Sequence, residues 1–112
     1  MNSNSYEESF MSEFKINLES EVLYDMADFF KVFADPTRIK ILITLYGGEI
    51  SVKEIAEKLG MSHSAISHQL SYLRDKDLVR ARRDGKNMVY DLADKHIKII
   101  METGLCHIKE KV

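Results

Sequence analysis

Residues 62–70 read Ser-His-Ser-Ala-Ile-Ser-His-Gln-Leu, and this stretch decides the fold. Apolar residues at Ile66, Leu70 and Leu73 follow the i, i+4, i+7 spacing of a helix that packs on a core through one face. The opposite face carries short hydroxyl and imidazole side chains, which can hydrogen-bond to base edges or phosphates in a major groove. The stretch therefore predicts a DNA recognition helix. A surface helix that is merely rich in serine is the alternative.

The residues before this stretch have the pattern of a helix-turn-helix. Ser51-Val52-Lys53-Glu54 has the S-x-x-E spacing of a capping box, in which a hydroxyl and a carboxylate satisfy the free amides of a helix start. Gly60 stands where that helix needs a left-handed residue to end, and Ser62 can cap the next helix two residues later.

Two further helices are predicted before the helix-turn-helix. From Glu19 onward, apolar residues have helical spacing, and Asp35-Pro36 then starts a second helix with Asp as cap and Pro at the first helical position. Gly47-Gly48 is expected to end it. The face predicted to be buried consists of Ile39, Leu42, Ile43 and Tyr46.

A β-hairpin and a last helix are predicted after it. Two β-favouring runs, Leu78-Val79 and Met88–Tyr90, flank the turn dipeptide Asp84-Gly85, which suits a tight hairpin. Asp94 is expected to cap a final helix that runs to about Lys109. The predicted fold class is mainly α with a β-hairpin wing: four helices, the hairpin and a fifth helix, in winged helix-turn-helix order.

Length and composition limit the chain to one domain of 112 residues. We expect residues 1–18 to form a flexible or late-docking acidic arm, partly helical near Phe10 and Phe14, and residues 19–112 to form the DNA-binding and dimerisation domain. No apolar run has the length of a membrane span and no signal peptide is recognisable, so a cytoplasmic protein is expected. The single cysteine, Cys106, agrees with a reducing compartment.

The net charge of −2 is distributed unevenly along the chain. Residues 1–28 carry a net charge of −6, which leaves +4 on the remainder. Between Arg74 and Lys86 there are six basic and three acidic residues, a composition that suits contact with phosphates. A solvated surface of mixed charge is the alternative for this segment.

Three motifs together resemble one known family. They are Ala-Asp-Pro-Thr-Arg-Ile-Lys-Ile-Leu at 34–42, the stretch at 62–70, and Gly-Lys-Asn-Met-Val-Tyr at 85–90. From about residue 18 to residue 110 the chain resembles the ArsR/SmtB-type metal-sensing winged-helix repressors. Because one helix reaches few bases, we expect a homodimer on a near-palindromic DNA operator.

DNA contacts are expected in two regions: at the hairpin tip and, as the resemblance implies, on the predicted recognition helix. Arg82 and Lys86 flank the predicted hairpin tip, where they would neutralise phosphates or enter the minor groove; plain solubility is the alternative for these charges. The residues placed in or beside the major groove are His63, Ser64, Ser67, His68 and Gln69.

Four potential metal ligands lie on the last helix. Asp94 and His96 stand at its start, and His107 and Glu110 share a face near its end. At 1.5 Å per residue the two pairs are about 20 Å apart, so one helix cannot bring them together. Two antiparallel copies can, which predicts two equivalent intersubunit sites per dimer. The alternative is that these residues are only the polar side of an amphipathic helix.

The resemblance strengthens the metal hypothesis, because zinc-responsive members are similar in having D-x-H and H-x-x-H or H-x-x-E at the ends of this helix. Mixed nitrogen and oxygen donors suit Zn(II), with Co(II) or Ni(II) as possible substitutes. Arsenic- and cadmium-type members use cysteines that residues 49–54 lack, so a thiolate-rich site is not expected. Cys106 stands alone. Its position next to His107 would allow it to tune or compete for the metal, but such a cysteine is more often a small buried hydrophobe.

The resemblance implies a repressor whose metal-free dimer binds its operator and whose DNA affinity falls when Zn(II) binds at the last helices. A winged-helix regulator that senses a non-metal signal, or none, is the second hypothesis. A small zinc hydrolase is the third, but the sequence has no phosphate loop, nucleophile elbow or H-E-x-x-H motif. We therefore expect a protein that is not an enzyme.

Overall fold

The structure is a computed structural model that describes residues 4–110. It confirms the winged helix-turn-helix class, with six helices and a three-stranded antiparallel sheet over those residues. None of the helices in this part of the chain is long and apolar enough to cross a membrane. In chain order the elements are α1 (Ser5–Glu13), α2 (Glu21–Val32), α3 (Pro36–Thr44), β1 (Ile50–Ser51), α4 (Val52–Leu59), α5 (His63–Asp75), β2 (Val79–Asp84), β3 (Asn87–Leu92) and α6 (Lys95–Glu110).

The chain divides between Val32 and Phe33 into two units, and the first contains α1 and α2. α1 begins where it does because the side chain of Asn4 accepts a hydrogen bond from the Glu7 amide at 2.7 Å. It lies in the segment predicted as an arm, and none of its residues is buried. α1 is therefore one helix more than the predicted order contains.

The second unit begins with α3, whose start is the predicted one. The carboxylate of Asp35 accepts a hydrogen bond from the Arg38 amide at 3.1 Å, and proline occupies the first helical position. The helix ends at Thr44, before the glycine pair that was expected to end it. Asp35 and Pro36 therefore determine where the helix begins, because a cap acts over only a few residues.

The predicted buried face of α3 is wrong in part. Leu42 is buried as predicted, but Ile43 is 57% exposed and Tyr46 is 38% exposed, while Ile41 and Leu45 are completely buried. Apolar residues occur almost all round this helix, so two different stripes satisfy helical periodicity. Packing against the neighbouring elements selects the stripe, and the sequence of the helix alone does not.

The helix-turn-helix is capped as predicted at both helix starts. Ser51 Oγ accepts a hydrogen bond from the Glu54 amide, and Ser62 Oγ accepts one from the Ala65 amide, each at 3.1 Å. Gly60 ends α4 in the left-handed region, with φ of 63°. α5 then follows and packs on α4, which places the predicted recognition helix second in the motif.

The sheet has the strand order β1-β3-β2. The two-residue strand β1 was not predicted, because two residues are too few to show a periodicity; it pairs Ile50 with Tyr90 of β3. In the hairpin Asp84 pairs with Asn87, so Gly85 and Lys86 form the turn. The wing is thus joined through β3 to the residues that immediately precede α4.

Gly60 provides a test of how strongly the backbone at this turn limits the sequence. A Cβ at Gly60 would meet no atom within 4 Å, so any cost of Gly60→Ala comes from its positive φ alone. We expect this substitution to lower the free energy of unfolding by about 1 kcal/mol. Gly47→Ala, at a position that is equally open but has no positive φ, should change it much less. Urea unfolding at one fixed protein concentration measures both, and equal losses would contradict the assignment.

Candidate nucleic-acid interface and metal centre

The orientation of α5 is fixed by three aliphatic side chains. Ile66, Leu70 and Leu73 are completely buried, as their spacing predicts. Because this face is held in the core, the polar side chains on the other side of the helix have a defined direction. α5 therefore always turns the same polar side chains away from the core.

The five residues predicted to contact DNA on α5 occupy this polar surface to different extents. His63, Ser64 and His68 are exposed, whereas Ser67 and Gln69 are half-buried. Exposed imidazole and hydroxyl groups keep free donors and acceptors for a ligand. The first turn of the helix and His68 are thus the most accessible part of the predicted contact set.

A cleft lies between the start of α4, the start of α5 and the wing. It brings together three residues that the sequence predicted separately: His63, Ser67 and Lys86. No acidic side chain lines it, so its charge is positive or neutral throughout. Its lining residues are Ser51, Val52, Lys53, His63, Ser67, Lys86, Asn87, Met88 and Tyr90.

Lys53 and Asn87 line this cleft but were not among the predicted site residues. Lys53 lies in the first turn of α4, and its position in a predicted helix-turn-helix is a signal that could have marked it. Asn87 begins β3, and only the pairing register of the hairpin brings it to this place. Asn87 belongs to the motif at 85–90, but that motif indicates the wing as a whole and does not single out Asn87 as a contact residue.

Arg82 was predicted to contact DNA phosphates near the hairpin tip. In the structure its guanidinium forms an ion pair with Glu49. Its Nε donates to Oε2 of Glu49 at 2.7 Å, and its Nη2 donates to Oε1 of the same carboxylate at 2.5 Å. Lys86 is in the two-residue turn itself. Arg80 makes a longer ion pair with Asp91, 3.7 Å between Nη2 and Oδ2. The two regions of the wing therefore differ: its tip carries Lys86, and its base carries ion pairs.

The contact with Arg82 also alters the ionisation of Glu49. Hydrogen bonds from the guanidinium hold the pKa of the Glu49 carboxyl below its ordinary value, and the charges of Arg82 and Arg80 act in the same direction. The same hydrogen bonds raise the pKa of Arg82. Both side chains are therefore charged at neutral pH.

At the start of α6, two predicted metal ligands lie together. The carboxylate oxygen Oδ1 of Asp94 is 3.2 Å from Nδ1 of His96 and accepts a hydrogen bond from the His96 backbone amide at 2.9 Å. Two donors about 2.1 Å from a tetrahedral zinc ion are about 3.4 Å apart. The observed separation is close to that value and is also within hydrogen-bonding distance for the two side chains, so it is compatible with one edge of a zinc coordination shell but does not by itself indicate a metal.

The other predicted pair, His107 and Glu110, lies at the far end of α6, and both residues are exposed. Within residues 4–110, no three His, Cys, Asp or Glu side chains come close enough to hold a metal ion. One chain thus supplies two separate halves of the predicted site and does not join them. Cys106 is exposed rather than buried, so its interpretation as a buried hydrophobe is wrong for the single chain.

An unpredicted polar contact connects α6 with the end of α3. The hydroxyl of Tyr46 donates a short hydrogen bond to the carboxylate of Glu102, and the Nζ atom of Lys98 lies 5.2 Å from the centre of the Tyr46 ring. The hydrogen bond to Glu102 raises the pKa of Tyr46. These partners are 56 residues apart in sequence, so no local pattern marks the contact.

Comparisons with known proteins agree with the winged helix-turn-helix fold described above. Residues 35–81 match the family model described as bacterial regulatory protein, arsR family. The transcriptional repressor SmtB homolog of Synechocystis is 40% identical over 85 residues, which cover 76% of this chain and 64% of that repressor. The cadmium resistance transcriptional regulatory protein CadC homolog of Staphylococcus aureus is 32% identical over 110 residues, which cover 93% of this chain and 91% of that protein.

The fold is also shared with a solved structure. The homodimeric winged helix-turn-helix DNA-binding domain Mb0332 of Mycobacterium bovis superposes with a TM-score of 0.77 at 28% identity, covering 86% of this chain and 93% of that one. The family match includes α3, the helix-turn-helix and the start of the wing, which are the elements that position the polar face of α5. The chain therefore belongs to the arsR family of bacterial regulatory proteins.

Proposed function

We propose that this chain is a cytoplasmic transcriptional repressor that acts as a homodimer on a near-palindromic operator and loses DNA affinity when Zn(II) binds between its C-terminal helices. The observation that carries the DNA-binding part is the cleft in which α5, α4 and the wing meet. The similarity to the CadC homolog, whose name refers to cadmium resistance, supports a metal as the signal.

The DNA-binding part rests on charge and accessibility. Base reading requires exposed polar groups on a rigid helix, and His63, Ser64 and His68 meet that requirement. Phosphate binding requires positive charge beside that helix, and the cleft supplies it through Lys53 and Lys86. This placement supports the proposed DNA contact by α5 in the major groove and by the wing tip on the backbone.

The homodimer is supported by apolar surface that one chain leaves exposed on α6. Ile99 is 49% exposed, and at 100° per residue it lies on the same face of α6 as His96 and His107. A second copy of α6 packed on this face would cover Ile99. The homodimeric state of the Mycobacterium bovis domain agrees with such an interface.

The zinc site is proposed from the donors on α6. Asp94 and His96 of one chain, with His107 and Glu110 of the partner chain, would supply two nitrogen and two oxygen donors, which suit zinc. Cys106 is the only cysteine, so this chain has no set of thiolates for cadmium such as a softer site would use. Co(II) and Ni(II) are weaker candidates for the same donors.

Asp94 and His96 of one chain, with His107 and Glu110 of the partner chain, would hold zinc when it is bound, and zinc would then fix two copies of α6 in one relative position. That position is proposed to space the two α5 helices badly for the operator. A tenfold to hundredfold loss of DNA affinity requires a difference of only about 1.4 to 2.8 kcal/mol between the two forms. In this proposal apolar contacts between the two copies of α6 hold the dimer together. The two pairs of metal ligands lie at the two ends of that interface.

The DNA-binding proposal predicts different results for two substitutions in the cleft region. Ser64→Ala should weaken binding to a duplex selected from a random library by about tenfold and weaken binding to random-sequence DNA much less, because a base contact is lost. Lys86→Ala should weaken both and lower the slope of log affinity against log salt by about one phosphate contact. Fluorescence anisotropy over a salt series measures these quantities.

Lys109→Ala, which removes a lysine from the far end of α6, is the control for a change in net charge. It should leave both the affinity for the selected duplex and the salt slope nearly unchanged. Equal losses on selected and random DNA for Ser64→Ala would contradict base reading by that residue.

The zinc proposal predicts two tight zinc ions per dimer of metal-stripped, reduced protein in a titration against a competing chelator. His107→Ala should abolish tight binding because each site loses one ligand. His68→Ala, which removes an exposed histidine from α5, should leave the stoichiometry at two. No tight zinc in the wild type would instead favour a regulator of this family that senses another signal.

A mixed dimer tests whether each site is shared between chains. One chain carries Asp94→Ala with His96→Ala, and its partner carries His107→Ala with Glu110→Ala. Neither chain alone should bind zinc tightly, but the mixed dimer should bind one ion, because one interface retains all four ligands. Absence of that ion would contradict an intersubunit site.

A further inference from the structure

The wing holds an arginine in a geometry that resembles phosphate binding. Arg82 offers two parallel N–H groups to the carboxylate of Glu49, at 2.7 and 2.5 Å. A guanidinium binds a phosphate group with the same fork of donors. The side chains are 57% and 35% exposed, so solvent and any large anion can reach them.

Glu49 and Arg82 belong to the two opposite edges of the sheet. Glu49 immediately precedes β1, and Arg82 lies on β2, while β3 runs between those strands. Both Ser51 of β1 and Arg82 pair with Val89 of β3. The ion pair therefore spans the central strand, and the sheet register keeps the two groups within reach of each other.

The neighbouring charges make this part of the wing electrically balanced. Arg80 is paired with Asp91 at 3.7 Å on the adjacent strand. Lys86 and Arg83, in contrast, make no ion pair with any residue in the range 4–110. The positive charges of the wing that have no acidic partner thus lie toward the hairpin tip. The charge of Arg82 is paired with Glu49 and is therefore less available to DNA.

We propose that Glu49 is an internal competitor for phosphate: its carboxylate occupies the guanidinium of Arg82, so that DNA of arbitrary sequence does not gain this contact. The proposal rests on the proposed DNA-binding function. Non-specific binding depends almost entirely on the number of phosphates neutralised. Removing one contact from that number lowers the affinity for the many non-specific sites that compete with an operator.

The first test asks whether the ion pair exists in solution. In the full-length wild-type chain the pKa of Glu49, followed by NMR during a pH titration, should lie below the ordinary glutamate value. Arg82→Ala should raise it toward that value because the hydrogen bonds and the positive charge are lost. Arg83→Ala, the removal of the adjacent arginine, should change it much less. A pKa of Glu49 that does not respond to Arg82→Ala overturns the proposal.

The second test measures the affinity for a random-sequence duplex. Glu49→Gln should bind it roughly fivefold to tenfold more tightly at about 0.1 M salt, with a salt slope steeper by about one phosphate contact. In an Arg82→Ala background the same substitution should have no such effect, because no guanidinium is released. Glu57→Gln, which removes an exposed acid from α4, is the control for the change in net charge.

The results separate three cases. Equal affinities of Glu49→Gln and wild type, or an equal gain in the Arg82→Ala background, overturn the role of Glu49 as a competitor. A weaker Glu49→Gln variant also overturns it, since Glu49 would then position Arg82 for DNA. A wild-type chain that binds neither random nor selected duplex contradicts the proposed DNA-binding function itself, which distinguishes that failure from the other two.

Discussion

The burial of Ile66, Leu70 and Leu73 is the constraint on which the rest of the structure depends. It sets the rotation of α5 about its own axis, and each polar group on that helix takes its direction from this rotation. A recognition helix must present the same groups to every DNA molecule it meets, and a loosely packed helix would not do so. In the proposed function the aliphatic stripe therefore contributes to DNA recognition, although none of its members is accessible to a ligand.

The distribution of charged residues determines which parts of the surface are positive. A chain with a net charge of −2 is an unusual DNA-binding protein unless its charges are segregated. Segregation occurs at two scales: acidic residues are concentrated in the first 28 positions, and ion pairs neutralise the base of the wing. The cleft that contains Lys53 and Lys86 is left without an acidic side chain. Local charge, rather than the total, is thus what agrees with the proposed partner.

The features predicted correctly from the sequence are those determined by neighbouring residues. The caps at Asp35, Ser51 and Ser62 and the left-handed Gly60 each depend on a few adjacent positions, so a local pattern identifies them. The stripe that α3 buries depends on which elements pack against it, and several stripes fit its apolar composition. Periodicity alone could not choose among them.

The candidate site follows the same division between local and distant determinants. The helical positions of His63 and Ser67 could be read directly, but their proximity to Lys86 depends on the hairpin register. The partners Glu49 and Arg82 are 33 residues apart, so only the folded sheet reveals their contact. The two proposed ligand pairs lie at opposite ends of α6, so only a second chain could bring them together. Sequence therefore identified most of the groups, and the three-dimensional fold determined how they are combined.

Ser51 belongs both to the sheet and to the start of α4. It pairs with Val89 in the sheet, and its hydroxyl caps α4. No linker residue separates the strand from the helix, so the chain has no slack at this point. An inserted residue here would break either the strand register or the cap, whereas the hairpin tip can lengthen without moving α5. Differences in length among proteins built on this plan should accordingly collect at the wing tip, and the reach of the wing can change while the helix-turn-helix stays the same.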